Sequence, residues 1–315
     1  MIILNYLLYY GIILPLSWLP MRVLYALSDV CYYIIYKGFK YRVHVVQNNM
    51  KRALPHLSDQ ELQDTQDKFY SHLFDMIVES IKNFSISKSE LQKRCKATNG
   101  ELFQELANEG KSMLGITGHY ANWEWPATLY ATHSTHKSYG IFIPLKNKFW
   151  NQKVIQSRSR FGVGLLAPLD VPVAYEQNKN GLMSCGFIMD QSPGSKTKAY
   201  WLTFMGQPTA VAFGVERYAN LHNHSVVQAV VRKVKRGYYE VTFYKLTDDP
   251  NSLPYGVLTQ LHSRLNEYFI LQQPAYWLWS HKRWKLTPKA DTIINADTEL
   301  TTQLFTKLVA QIENK

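Results

Sequence analysis

The densest chemistry in the chain lies in Gly118-His119-Tyr120-Ala121-Asn122-Trp123-Glu124-Trp125. Histidine titrates close to neutral pH and can take a proton from a hydroxyl. Glu124 follows five residues later, an offset that places the two about 140° apart in a regular helix. They can meet only if the backbone turns between them, as at a strand-to-helix corner. A carboxylate bonded to one ring nitrogen would fix the tautomer and favour the protonated imidazole. The other nitrogen could then deprotonate a substrate hydroxyl, whose oxygen would attack an activated acyl carbonyl. His119 and Glu124 are therefore the expected catalytic pair for acyl transfer, with no covalent acyl-enzyme, since no serine sits in a GxSxG elbow. A His-x4-Glu spacing also arises by chance, and a structural histidine is the ordinary alternative. A metal is not expected: HExxH is absent, and His133, His136, His222 and His224 form no standard ligand set.

These residues need elements to hold them. Residues 113–117 form an apolar run ending at Gly118 and read as a buried strand, which puts His119 at the kind of strand end where α/β folds build sites. Residues 139–145 and 186–189 read as further strands. The second ends at Asp190, which with Gln191 is expected to line the pocket. Residues 225–234 and 238–244 read as paired strands around a turn at Arg236-Gly237. Ser58 with Glu61 is a capping-box pattern opening a helix to about residue 83, and Ser87 with Glu90 repeats it. Residues 151–160 and 256–272 complete the helical set, the latter with Leu258, Leu261, Leu265 and Phe269 on one face. Alternating helices and strands predict an α/β domain with a central mixed sheet flanked by helices.

Ile2 to Met21 carries no charged residue, about the length one membrane span requires (roughly 20 residues). Pro15 and Pro20 interrupt it. Beyond Arg22 the apolar character resumes through Tyr36, and Lys37, Lys40 and Arg42 follow. No positive region precedes the run and no small-residue cleavage site follows, which argues against a cleaved signal peptide. The segment is expected to be a membrane-anchoring helix with a cytoplasmic basic flank, or a helical hairpin lying in the interface. A buried core helix is the remaining alternative. Residues 1–45 thus form an anchor, and 46–315 a catalytic domain.

Hydrophobic residues make up 46% of the 315 and charged residues 19%, which excludes a disordered chain. The net charge of +11, with 21 tyrosines and 8 tryptophans, suits an anionic partner at a wet–dry boundary. No helix-turn-helix, RRM or zinc-finger pattern accompanies the charge, so nucleic acid is not the expected partner. Cys31, Cys95 and Cys185 form neither a disulfide framework nor a CxxC pair, which fits a reduced compartment.

The segment from Gly118 to Glu124 resembles the signature of the late lipid A biosynthesis acyltransferase family, related to the His-x4-Asp/Glu glycerolipid acyltransferases. Four further blocks resemble that family: Asn49 to Pro55, Ser159-Arg160-Phe161-Gly162, Asp190-Gln191 with Phe204-Met205-Gly206-Gln207-Pro208-Thr209, and Trp279 to Lys285. Together they span about residues 15 to 285. Ala121 stands where the family pattern leads one to expect glycine.

The resemblance implies a glycerolipid-acyltransferase-like fold held at the inner membrane and facing the cytoplasm. It implies an acyl chain donated by acyl carrier protein, or alternatively coenzyme A, with no bound cofactor. The acceptor would be a hydroxyl of a phosphorylated lipid A precursor, with His119 as general base and Glu124 supporting it. Arginine suits bidentate phosphate binding, so Arg158 and Arg160 are candidates for substrate contact. Asn122, Asp190, Gln191 and Arg283 complete the expected substrate-binding set. Two other readings fit the residues: the same chemistry on another phospho- or amino-lipid, and a non-catalytic membrane-tethered polyanion or lipid binder.

Overall fold

The protein is described from a computed structural model covering residues 2–133, 135–194 and 199–314; the side chain of His133 lies outside the described part. Its strands are β1 (Cys95–Ala97), β2 (Met113–Thr117), β3 (Lys137–Ile141), β4 (Gly164–Leu166), β5 (Met183–Ile188), β6 (Ala199–Phe204), β7 (Gln207–Ala212), β8 (Ser225–Lys235) and β9 (Tyr238–Thr247). Seven of them form one sheet in the order β1-β9-β8-β2-β5-β3-β4. All neighbours are parallel except β8 and β9. The sheet is therefore mixed, as the alternation of elements predicts. Strand β2 lies at its centre and is buried on both faces, which explains its continuous apolar run. Met113 joins a core with Phe103, Trp125 and Val231, while Leu114 and Ile116 join the opposite core with Leu258, Leu261 and Leu265.

Several boundaries shift from the sequence reading. The expected strand at 139–145 ends at Ile141, because Pro144 cannot donate to a ladder. The helix expected over 151–160 starts earlier, at Lys148, where the Asn147 side chain accepts from the amides of Phe149 and Trp150. The Ser58–Glu61 capping box forms reciprocally and opens the helix Asp59–Lys82. Two elements carry weak sequence signals. One is the β6–β7 hairpin, whose turn is made by Met205 and Gly206, both at positive φ (50° and 70°). Methionine is not a usual turn residue there. The other is the C-terminal helix Glu299–Glu313, capped by Thr298.

The N-terminal segment is helical but broken. Leu19 and Pro20 are both extended, at ψ 148° and 145°, because Pro20 disfavours helix at the residue before it and has no amide to donate. Pro15 likewise withdraws a donor, and the chain widens into a π-helical turn over Tyr9–Ile13. The expected single anchoring helix is thus two arms, Ile3–Trp18 and Met21–Gly38, bent by 119°. Among the described residues no single helix is long and apolar enough to cross a membrane; the bent pair has that length and composition.

The arms are tied to the body on one side only. Leu24 shares a core with Val78 and Ile86, and Tyr36 stacks on Tyr70 with ring centroids 4.0 Å apart. Arg236, from the β8–β9 turn, bridges Asp29 of the second arm (2.6 Å) and Asp75 of the helix Asp59–Lys82 (2.6 Å). Ser28 donates to Asp75 (2.8 Å). Ile3, Leu7, Trp18, Tyr33 and Ile34 point outward and are exposed.

Candidate active site

Sheet register brings the first pair of functional side chains together. Thr117 of β2 lies opposite Ile188 of β5 in a parallel ladder, so the residues two positions on, His119 and Asp190, are neighbours at adjacent strand ends. The His119 backbone N–H donates to Asp190 Oδ2 (2.7 Å), and His119 Nδ1 meets Asp190 Oδ1 (2.7 Å). Gly118 permits the approach: a Cβ there would lie 3.2 Å from Asp190 Oδ2. The Trp277 indole donates to the same Oδ2 (2.8 Å).

The electrostatics follow from these contacts. Asp190 is almost fully buried, which by itself would push its carboxyl up. The imidazole of His119, with the hydrogen bonds from His119 and Trp277, outweighs burial and holds it below the usual carboxylate range. An ionised Asp190 fixes Nδ1 of His119 as the donor, so Nε2 carries the lone pair. That nitrogen meets the Gln191 amide nitrogen at 3.1 Å. The His119 side chain keeps 17% exposure, against 3% for Asp190. The site therefore sets a buried carboxylate behind a partly exposed imidazole whose Nε2 is paired to the Gln191 amide.

Glu124 does not hold the imidazole. The chain does turn between the two residues, at Ala121, whose φ of +50° explains why glycine would suit the position. But Glu124 is then directed to Arg158: Nε donates to Oε2 (2.8 Å) and Nη2 to Oε1, a fork that matches guanidinium to carboxylate. The reason is the Asn122 cap. Asn122 Oδ1 accepts from the amides of Glu124 and Trp125 (3.0 Å each) and starts the helix Glu124–Leu129 with Glu124 facing the helix Lys148–Arg158. The carboxylate partner of His119 is thus Asp190, 71 residues away in sequence.

Glu124 and Arg158 form the polar end of an apolar cavity. Counted with its open mouth, it holds about 950 Å³ of space unoccupied by protein. Its floor is a row of glycines in register across three strands: Gly115 of β2, Gly186 of β5 and Gly140 of β3. Ile116, Leu129, Phe142, Phe187 and Phe243 contribute to the walls. Trp123 also lines it, and its ring lies 4.9 Å from that of His119, so base and cavity adjoin.

The remaining expected substrate residues fall elsewhere. Asn122 is fully buried and acts as the helix cap. Arg283 is 2% exposed; it donates to the Ala210 carbonyl (2.9 Å) and lies over the Phe204 ring. Arg160 is exposed and donates to the Asn83 carbonyl (2.8 Å). Of the set, Arg158 lines the cavity, while Asp190 and Gln191 attend the imidazole rather than the cavity wall. Among the described residues no group of three or more His, Cys, Asp or Glu is gathered to hold a metal.

Three of the distant sequence blocks meet as one buttress. Asn49 donates to the carbonyls of Trp279 and His281 (2.8 Å each). Arg52 donates to Gln207 Oε1 (2.9 Å), and the Trp284 indole to Thr209 Oγ1 (2.8 Å). Trp277, the donor to Asp190, packs edge-on against Trp279.

Comparison with known proteins points the same way. A family model described as bacterial lipid A biosynthesis acyltransferase matches residues 1–286. A lipid A biosynthesis acyltransferase of Haemophilus influenzae is similar, at 22% identity over 275 residues, covering 85% of this chain and 83% of the relative.

Proposed function

Because this chain belongs to the bacterial lipid A biosynthesis acyltransferase family, we propose that this acyltransferase moves a fatty acyl chain from acyl carrier protein to a hydroxyl of a phosphorylated lipid A precursor, with His119 as general base. The observation that carries the reading is the Asp190–His119 pair set beside an apolar cavity. His119 Nε2 takes the proton of the acceptor hydroxyl, displacing the Gln191 amide. The acceptor oxygen attacks the thioester carbonyl, and the negative charge moves to the carbonyl oxygen. The C–S bond then breaks, and the carrier thiol leaves with the proton from His119. Asp190 stabilises the imidazolium between the two transfers. Arg158, fixed by Glu124, is the cation nearest the apolar slot and suits the developing oxyanion or an acceptor phosphate. Glu124 acts through Arg158.

The cavity suits the acyl chain of the donor, because its lining is apolar and its glycine floor contributes no side chain of its own. The exposed apolar side of the N-terminal arms suits a bilayer interface, and the reading places the protein at the inner membrane with its site toward the cytoplasm. The test is acyl transfer in detergent from labelled acyl carrier protein to a lipid A precursor, with His119→Ala in parallel. Product from the wild type and a loss of at least ~10² in the folded variant is expected. Equal product from both removes His119 as the base, and no product from either removes the proposed donor–acceptor pair.

A further inference from the structure

The N-terminal arms reach the catalytic corner through one buried group. Tyr25, on the second arm, donates its hydroxyl to Glu79 Oε1 (2.8 Å). Glu79 Oε2 accepts from Tyr239 (2.8 Å) and from Asn122 Nδ2 (2.6 Å). The other end of the Asn122 amide caps Glu124 and Trp125, and the Trp125 indole donates to the Glu79 carbonyl (3.2 Å). Glu79 is fully buried and, among the described residues, has no cationic partner. A buried carboxylate without a cation is an expensive structural device. Its three donors are all neutral, and two come from segments that must be held in register: the apolar arm and the catalytic turn.

We propose that Tyr25 and Glu79 are positioning residues for acyl transfer, and that the seating of the second arm sets the orientation of Glu124 through Glu79 and Asn122. The proposal rests on the function proposed above. A shift of the arm withdraws the Tyr25 hydroxyl. Glu79 then follows its remaining donors, the Asn122 amide rotates, and the first turn of the helix Glu124–Leu129 loosens. The Glu124–Arg158 fork turns with it. Activity becomes coupled to whether the arm sits in place, a property suited to an enzyme whose acceptor is a lipid.

The test compares full-length Tyr25→Phe, Glu79→Gln, the double variant and Ser28→Ala in detergent micelles. Ser28→Ala removes the adjacent arm–body bond to Asp75 without touching Glu79. Tyr25→Phe is expected to lower kcat about tenfold, the upper end of what one net intramolecular hydrogen bond contributes, with KM for both substrates unchanged. The double variant should lose no more than Glu79→Gln alone, as expected of two groups in one chain. Ser28→Ala should keep kcat within about twofold. Independently of activity, hydrogen exchange at the amides of Glu124 and Trp125 should quicken in Tyr25→Phe while β2 amides stay protected. Wild-type exchange at those two amides overturns the proposal, as do multiplicative losses in the double variant. A wild type without acyl transfer overturns the proposed function instead, and the exchange comparison still decides the positioning role.

Discussion

Asp190→Asn separates the two carboxylates that could serve His119. The side chain keeps its size but has one oxygen for three donors: the His119 amide, His119 Nδ1 and the Trp277 indole. Two of them converge on the position of Oδ2. Placing the asparagine oxygen there satisfies both and turns the NH2 toward Nδ1; the opposite orientation leaves two donors facing a donor. Each buried donor left unmade costs about 1–3 kcal/mol, so the first orientation dominates by roughly 5- to 150-fold. In that orientation Nδ1 must become the acceptor and Nε2 carries the proton, so the base is lost. Removing the negative charge also withdraws support from the imidazolium. Together these effects predict a fall in kcat of ~10³, within the ~10²–10⁴ span of a positioned base. The assay is steady-state acyl transfer, alongside thermal melting and the ¹⁵N chemical shifts of the ring to report the tautomer. A folded Asp190→Asn enzyme within tenfold of wild-type kcat, still protonated on Nδ1, would refute the assignment. It would return the role to Glu124.

Four further outcomes follow from the same geometry. Glu124→Gln should lower kcat by about 10- to 100-fold through loss of the Arg158 fork, leaving the His119 tautomer intact, and Arg158→Ala should add little to it in the double variant, measured by the same assay. Gly186→Ala puts a methyl into the cavity with its nearest neighbour at 3.7 Å, so the protein should fold normally while acyl donors with longer chains lose kcat/KM relative to shorter ones; the equivalent change at Gly115 meets the Tyr130 hydroxyl at 2.8 Å and should lower the melting temperature. Burial pushes the Glu79 carboxyl up to about 7, against the hydrogen bonds from Tyr25 and Tyr239. The folded state therefore binds the extra proton, and stability should fall by roughly 3 kcal/mol as pH rises from about 4.5 to about 7, a slope that Glu79→Gln should abolish in pH-dependent denaturant titrations. Replacing Leu7 and Trp18 with aspartate should release the protein from anionic vesicles in a flotation assay without lowering its melting temperature, since both side chains are exposed.

The sequence carried the parts of this molecule that rest on local rules. The apolar run 113–117 marks the central strand because both its faces are buried, and Ser58 with Glu61 marks a helix start because the two side chains satisfy each other's orphan amides. His119 falls at a strand end for the same local reason. What escaped was set by pairing across the sheet. Nothing in the spacing of His119 and Asp190 says that β2 and β5 run parallel in the register that joins them, whereas Glu124 lies nearby in sequence and so draws the attention. Glu79 and Trp277 carry no motif at all: one is an acid in a largely apolar helical stretch, the other an aromatic among many. Arg283 reads as a phosphate ligand because it lies in a basic cluster with His281, Lys282 and Lys285, yet its side chain is buried and donates to the Ala210 carbonyl of β7. Ala121 was the one local hint of unusual backbone, since a glycine expected at that point foretells a positive φ.

The broken N-terminal helix has a consequence for how the chain is made. Its polar side is clamped by Arg236, 207 residues downstream of Asp29. At translation speeds of ~5–20 residues per second, that partner is synthesised roughly 10–40 s after the arm emerges. During that interval Leu24 can pack only on the helix Asp59–Lys82 and Ile86, and the outward residues Ile3, Leu7 and Trp18 remain exposed even in the finished fold. The polar clamp is therefore among the last contacts of the arm to close, after its apolar contacts to the helix Asp59–Lys82 have become available.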